Sequence, residues 1–281
     1  MTPKKIRETA KLTALNVFFI ALCFVTLIPI LYALSVSFSG QNNLLSSDFS
    51  FIPREFTFDN YKEVLFGEDI ITWFGNTVFL AVVTVTLSLT MAIPAAYCFS
   101  RRRFPGRTGI LRCLVLLNSF PAILSMFAIY RLLRPMGLVN HSLGLVLVYT
   151  GTMMVFSLWN TKGYFDTIPL EIEEAAKIDG ANDVQVVLKI VMPLARPSII
   201  VTGLMVLIYV WNEYIYATTF MTGENNYTLA AGLNALQATE MQGSWPVFAA
   251  ASIAVSLPVL IIFFFCQKHM TSGLTAGGVK G

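Results

Sequence analysis

The chain has 281 residues, 56% hydrophobic and 12% charged, with a net charge of +3 and a mean hydropathy of +0.68. A soluble domain carries about 25% charged residues, so this much apolar surface exceeds what one soluble core buries, and it equally excludes a disordered chain. A charge of +3 leaves no footprint for nucleic acid. Lipid is the expected solvent for most of the chain.

A hydrocarbon core about 30 Å thick takes about 20 apolar residues in a helix, and stretches free of ionisable residues mark six such spans. After an N-terminal tail at 1–11, Leu12–Phe38 is the first. Basic residues precede it and Ala33-Leu34-Ser35 imitates a cleavage site, but its 27 residues outrun the apolar core of a signal peptide, about 7–15 residues. It reads as an uncleaved span. A loop at 39–72 follows, with Pro53 and the aromatics Phe49, Phe51, Phe56, Phe58 and Tyr61. The next spans are Ile70–Ser100, Cys113–Tyr130 and Ser142–Thr161, then a loop at 162–196. Pro197–Phe220, interrupted once by Glu213, is the fifth span, and a loop at 221–244 leads to the sixth, Trp245–Gln267, and a tail at 268–281. Strand-like alternation is absent, so the expected fold is an all-α membrane domain over 12–267. Pro94, Pro121 and Pro258 fall inside spans two, three and six, as cavity-widening kinks or as prolines tolerated by their neighbours.

Six spans place both termini on one side, and fifteen of the nineteen Lys and Arg residues fall there, among them Arg101, Arg102, Arg103, Arg107 and Arg112. By the positive-inside rule that side is cytoplasmic, and the loops at 39–72 and 221–244 are external. Cys23, Cys98, Cys113 and Cys266 have no CxxC spacing and read as free thiols packed like small hydrophobes. Two histidines, His141 and His269, argue against a His-based metal site.

The loop at 162–196 differs from the others because it reads as two short helices. Pro169 suits a first turn. Ile172, Ala175 and Ala176 then form one apolar face, with Glu171, Glu173, Lys177 and Asp179 facing elsewhere. Gly180 ends that helix in a left-handed conformation, and Asn182 or Asp183 caps the next. There Val184, Val187, Leu188 and Val191 make a second stripe that Pro193 stops. The small pair Ala175-Ala176, beside the charge of Glu174, suits close approach by another backbone. The loop reads as a docking platform for a cytosolic partner.

Glu174-Ala175-Ala176, Gly180, Ile190 and Met192-Pro193 resemble the EAA loop of bacterial ABC-importer permeases, with Met192 where Leu is usual, a volume-conserving change. The string Ile168 to Ala181, the tail Gly273 to Gly281, Trp211-Asn212-Glu213 and Tyr227 to Leu233 resemble the carbohydrate-uptake branch, and within it the smaller permease subunits of maltose/maltodextrin transporters. The resemblance covers essentially the whole chain.

It implies half of a heterodimeric permease in the bacterial plasma (inner) membrane, importing a malto-oligosaccharide or another oligosaccharide. Two cytosolic ATPase subunits grip the coupling loops, and an extracytoplasmic sugar-binding protein delivers the sugar. The resemblance assigns ATPase coupling to Glu174, Ala175, Ala176, Gly180 and Pro193. It assigns ATPase contact by the tail to Gly273, Gly277, Gly278 and Lys280, and binding-protein contact to Glu240, Met241, Gln242, Gly243 and Ser244. No enzymatic activity is expected on this chain. Gly273 to Lys280 imitates a Walker A loop but has one residue too many before Lys280 and no Ser or Thr after it. No cofactor is expected here; ATP and magnesium belong to the ATPase.

Polar groups inside spans need partners or water. Tyr209, Asn212 or Glu213, and Tyr216 recur on one face of span five, and span three adds Asn118 and Ser119 before Pro121. These six are candidates for lining a sugar path; gluing helices together is the competing role. A competing function is a proton-coupled secondary transporter with Glu213 as its relay, against which stand the lack of a basic partner in another span and of an inverted repeat. A membrane enzyme lacks any Ser/His/Asp or HExxH arrangement, and an exporter would lack the loop motif.

Overall fold

The computed structural model describes residues 3–40, 51–67, 70–239 and 244–276. Among these, regular structure is helical apart from an isolated antiparallel bridge between Ser39 and Phe56. The helices are α1 (Pro3–Ser37), α2 (Asp59–Phe66), α3 (Ile70–Arg101), α4 (Arg107–Asn118), α5 (Ala122–Leu133) and α6 (Ser142–Phe165), then α7 (Leu170–Ile178), α8 (Asp183–Val186), α9 (Met192–Leu194), α10 (Arg196–Asn212), α11 (Ile215–Phe220), α12 (Leu229–Thr239) and α13 (Trp245–Ala276). A π-helical segment, Val187–Val191, joins α8 to α9.

Four of these are long and apolar enough to cross a membrane, over Lys11–Ser37, Ile70–Arg101, Ser142–Phe165 and Trp245–Lys268, and two bent pairs bring the number to six if each counts as one span. The third expected span is broken, not continuous: α4 and α5 meet at 99°. Pro121, with ψ 123°, stands at the break and cannot donate an N–H to continue α4. The fifth is broken as well, since Glu213 leaves the helix with ψ 118° and separates α10 from α11. Pro94 and Pro258 sit inside unbroken helices. Pro193 does not stop its stripe either: it sits in the first turn of α9, and the break comes at Ala195, where the Asp183–Leu194 stretch meets α10 at 79°.

The chain divides into two compact units, residues 1–68 with 235–256, and residues 69–234 with 257–281. In the first, α1 exposes its apolar side chains, Leu12 and Phe24 among them, as a helix facing lipid does. Beyond its end, Asn60 Nδ2 donates to the Ser37 and Ser39 carbonyls at 2.9 Å each, and Phe38 stacks on Phe56 with ring centroids 5.0 Å apart. Phe56, Phe58 and Tyr61 thus pack around Phe38 beside α2.

The second unit is built on α3 and α6 lying along one another, with α10 against both. Thr84, Ser88, Ala92 and Ala96, four residues apart, form a buried small-residue ridge on α3 that permits this close approach. Lipid is as apolar as the core, so burial alone stabilises little here; packing and hydrogen bonds carry the fold. One core cluster holds Leu80, Leu145, Tyr149, Val210, Tyr216 and Phe220. Another holds Ala96, Tyr97, Leu158, Phe165, Val186, Val191 and Ala195. The cysteines are unpaired as expected, but Cys23, Cys98 and Cys113 are exposed instead of packed inside.

Candidate functional site

The loop at 162–196 folds as α7, a turn, then α8 and the π segment. Gly180 has φ +90°, the left-handed region its lack of a Cβ permits. Around it, Gly180 N donates to Lys177 O and Ala181 N to Ala176 O, both at 3.0 Å. These are the two bonds of a Schellman cap, which satisfy carbonyls the helix end leaves orphaned. Asn182, not Asp183, caps the following helix: its side chain accepts from Gln185 N at 2.9 Å while Gln185 Oε1 accepts from Asn182 N at 3.0 Å. That reciprocal pair is a capping box.

The inward face of α7 differs from the sequence reading. Glu173, expected to point away from the apolar face, is the buried residue of α7, 1% exposed. Ala176 packs into the cluster around Phe165 and Val191. Ala175, Ile172 and Ile178 are exposed, Ile178 at 87%. Glu171, Glu174, Ala175 and Ile178 fall at i, i+3, i+4 and i+7 and make one exposed stripe. The pair Ala175-Ala176 is thus divided, one side chain outward and one inward. The second stripe divides too: Val184 and Leu188 are exposed, while Val191 is buried and Val187 half-buried beside Val186.

Glu173 is held by the end of α3. Its Oε1 accepts from Arg101 Nε at 2.6 Å and its Oε2 from the Tyr97 hydroxyl at 3.0 Å. Arg101 Nη2 also donates to the Phe165 and Ile168 carbonyls at 2.9 and 3.0 Å, and its Nη1 to Ser100 Oγ at 3.1 Å. Ser100 Oγ donates to Asp166 at 2.5 Å, and Lys162 Nζ pairs with the other oxygen of that carboxylate at 2.6 Å. Asp183 bridges Arg102 and Lys177, the latter at 2.9 Å. The hydrogen bond from Lys177, joined by the charge of Arg102, holds the Asp183 carboxyl below the ordinary carboxylate range. Partial burial pushes Asp166 upward, but its bonds from Lys162 and Ser100 prevail and its pKa is lowered.

Sequence reasoning passed over Arg101, Tyr97 and Glu173. The available signal was the i, i+4 spacing of Tyr97, near the end of span two, and Arg101 just beyond it, together with Glu173 three residues before Ala176.

The pathway candidates separate. Glu213 and Tyr216 are buried, Tyr209 half-buried, and Asn118, Ser119 and Asn212 exposed. Glu213 accepts from the Tyr149 hydroxyl at 2.6 Å, from Tyr216 N at 2.8 Å and from Ala217 N at 3.3 Å. Its carboxylate therefore satisfies the first N–H groups of α11 where α10 breaks. Tyr209 stands edge-on to Tyr149, ring centroids 6.0 Å apart. Ser119 Oγ and Asn212 Nδ2 donate to carbonyls of their own helices, Val115 and Ile208.

At the other end of α3, Trp73 Nε1 donates to Glu224 O, Asn76 Nδ2 to the Asn225 and Tyr227 carbonyls, and Leu229 N to Thr77 Oγ1. Gly232 lies against the Trp73 ring so closely that a Cβ would overlap it. Of the proposed binding-protein contacts, Ser244 precedes α13 and its Oγ accepts from Val247 N at 3.4 Å; Glu240, Met241, Gln242 and Gly243 lie outside the described residues. Of the tail residues, Gly273 is in α13, which continues past Gln267 to Ala276; Gly277, Gly278 and Lys280 lie outside the described residues.

The galactooligosaccharides transport system permease protein GanQ of Bacillus subtilis (strain 168) is 33% identical over 280 residues, 99% of this chain and 98% of that protein. The maltodextrin transport system permease protein MdxG of the same organism is 34% identical over 266 residues, 94% of each. Among solved structures, a chain of a bacterial ABC transporter that imports the acidic polysaccharide alginate superposes with a TM-score of 0.75 at 26% identity, covering 95% of this chain and 98% of that one. The profile of one family matches residues 88–274, which take in the end of α3, α6 and α7, and the chain belongs to that family, the inner membrane components of binding-protein-dependent transport systems.

Proposed function

We propose that the chain is one permease subunit of an ABC importer for an oligosaccharide, with α7 as the helix that docks on a cytosolic ATPase. The observation that carries this is the two-sidedness of α7: one face is held by a buried ion pair, the other leaves Glu174, Ala175 and Ile178 bare. A capped helix outside the spans that presents Ala175 and Ile178, the latter 87% exposed, beside the charges of Glu171 and Glu174 has the mixed apolar and charged face of a protein-docking surface. The relatives' oligosaccharide and polysaccharide cargo supports the substrate class, a malto-oligosaccharide or a similar sugar.

In this reading α4 with α5, and α10 with α11, each complete one span of a six-span domain, the 162–196 loop stays outside the membrane, and both termini are cytoplasmic. A second, homologous permease forms the other half of the path. ATP and magnesium sit on the ATPase, this chain has no catalytic residue and no cofactor of its own, and the tail from Gly273 to Lys280 approaches the ATPase. The residues from Glu240 to Ser244 face the binding protein. Asn118, Ser119, Tyr209 and Asn212 keep the candidate lining role, while the hydrogen bonds of the Glu213 carboxylate make it a positioning residue for α11 and Tyr216 packs into the core. A proton relay at Glu213 finds no support, because three donors already occupy its carboxylate.

The test is a photo-crosslinking amino acid at Ile178, with Phe24 as the lipid-facing control, in cells co-expressing the ATPase subunit. The expected product joins this chain to the ATPase from position 178 and not from 24. Equal labelling from both positions would remove the docking surface from α7.

A further inference from the structure

We propose that Arg101 and Glu173 key α7 to the end of α3, so that displacement of α7 moves the α3/α6 pair as one body with it. This deepens the docking reading above, and rests on it, by naming the residues through which the docking helix would act. Two donors on one face of α3, four residues apart, take the two oxygens of a single carboxylate. A carboxylate gripped at both oxygens fixes the rotation of α7 about its axis as well as its position.

Arg101 extends the grip: four of its N–H groups have partners, on α7, on Ser100, on the Phe165 carbonyl that ends α6 and on the Ile168 carbonyl in the turn that follows. The side chains of Arg101 and Glu173 are 12% and 2% exposed, so water screens this pair little. The neighbouring pairs of Asp183 with Arg102 and Lys177 are about half exposed and contribute little by comparison.

Stability alone does not account for a charge pair at this place. Apolar side chains of similar volume commonly stabilise a buried site as well as an ion pair does; what the pair adds is a fixed orientation. The two ends of the loop also differ. Its start is bolted to α3 and α6, whereas its end reaches α10 through a π segment and a 79° bend at Ala195. Push on α7 therefore passes into α3 and α6, while the joint before α10 accommodates it.

The experiment uses the full permease pair with its ATPase in nanodiscs, native cysteines replaced, and spin labels at Leu170 on α7 and Leu87 on α3, both exposed. Distances are measured without nucleotide and after trapping with ATP and vanadate. In the wild type the separation should change by less than about 1.5 Å, one residue's rise along a helix. In Arg101→Gln and Glu173→Gln the distribution should broaden. The double variant Arg101→Met/Glu173→Met removes both charges while filling the space, and keeps the test open if a single variant fails to fold. It should retain the ATPase on co-purification yet still show the broadened distribution and lose ATP hydrolysis stimulated by the binding protein. A double variant with the wild-type distribution and wild-type stimulation would reduce the pair to packing and overturn the proposal, as would a wild-type separation that shifts on trapping. Glu174→Lys separates the two readings: if the ATPase still co-purifies with it, the docking surface is wrong whatever the spin labels report.

Discussion

Replacing Gly180 tests the docking helix through a single backbone angle. At φ +90° the residue lies where an L side chain is strained, and a Cβ built there meets nothing within 4 Å. The cost of a substitution is therefore conformational and not a clash. An L-residue in the left-handed region costs roughly 1–2 kcal/mol, which lowers the population of the capped turn about 5- to 30-fold. Relaxing the angle breaks the bonds from Gly180 N and Ala181 N to α7 and swings the exposed stripe away from its bearing on Glu173. Gly180→Val, with a β-branched side chain, should be worst, Gly180→Ala intermediate, and Gly180→Asn closest to wild type because Asn tolerates this conformation. The assay is ATP hydrolysis of the reconstituted transporter with and without its binding protein, alongside the amount of chain recovered in the membrane. Stimulated hydrolysis should fall in the order Gly, Asn, Ala, Val with recovery unchanged. Equal loss in Asn and Val would show instead that the presence of a side chain matters and the backbone angle does not.

Other outcomes follow from the same geometry. Gly232→Val puts side-chain atoms into the Trp73 ring, so the chain should fail to accumulate in membranes, whereas Gly75→Ala, whose added Cβ meets nothing, should accumulate normally; quantitative immunoblotting compares them. Glu213→Gln leaves one acceptor oxygen for three donors, and an orphaned buried donor costs about 1–3 kcal/mol; the detergent-solubilised transporter should melt lower while uptake stays ATP-driven. Asp183 has a lowered pKa, so its bridges are fully present above the unfolded Asp value of about 3.9 and are lost only as pH falls through the lower folded value. The effect of Asp183→Asn on stimulated hydrolysis should accordingly be the same at about pH 5.5 and 8, and a difference between them would place another titrating group at that bridge.

Composition and the spacing of uncharged runs made most of the membrane helices legible, because lipid tolerates few ionisable groups and the signal is long. The breaks were less so. Pro121 was visible as a proline, but whether a proline kinks a helix or ends it depends on what satisfies the freed carbonyls, which lies in other segments. At Glu213 a single acid in an apolar run read as a path or relay residue, whereas its oxygens serve the first turn of α11. Gly180 and Asn182 were legible because caps are local, set by residues within one turn. The facing of α7 was not. Hydrophobic periodicity assumes that apolar side chains point inward, and here the buried residue is Glu173, matched by an arginine 72 positions away in sequence.

The most direct test of the central claim is uptake of radiolabelled malto-oligosaccharides into proteoliposomes holding the permease pair, the ATPase and the binding protein, with ATP enclosed and a protonophore present. Uptake should need ATP and the binding protein, survive collapse of the proton gradient, and be lost in Glu174→Lys. Uptake that continues without ATP and stops with the protonophore would contradict that claim.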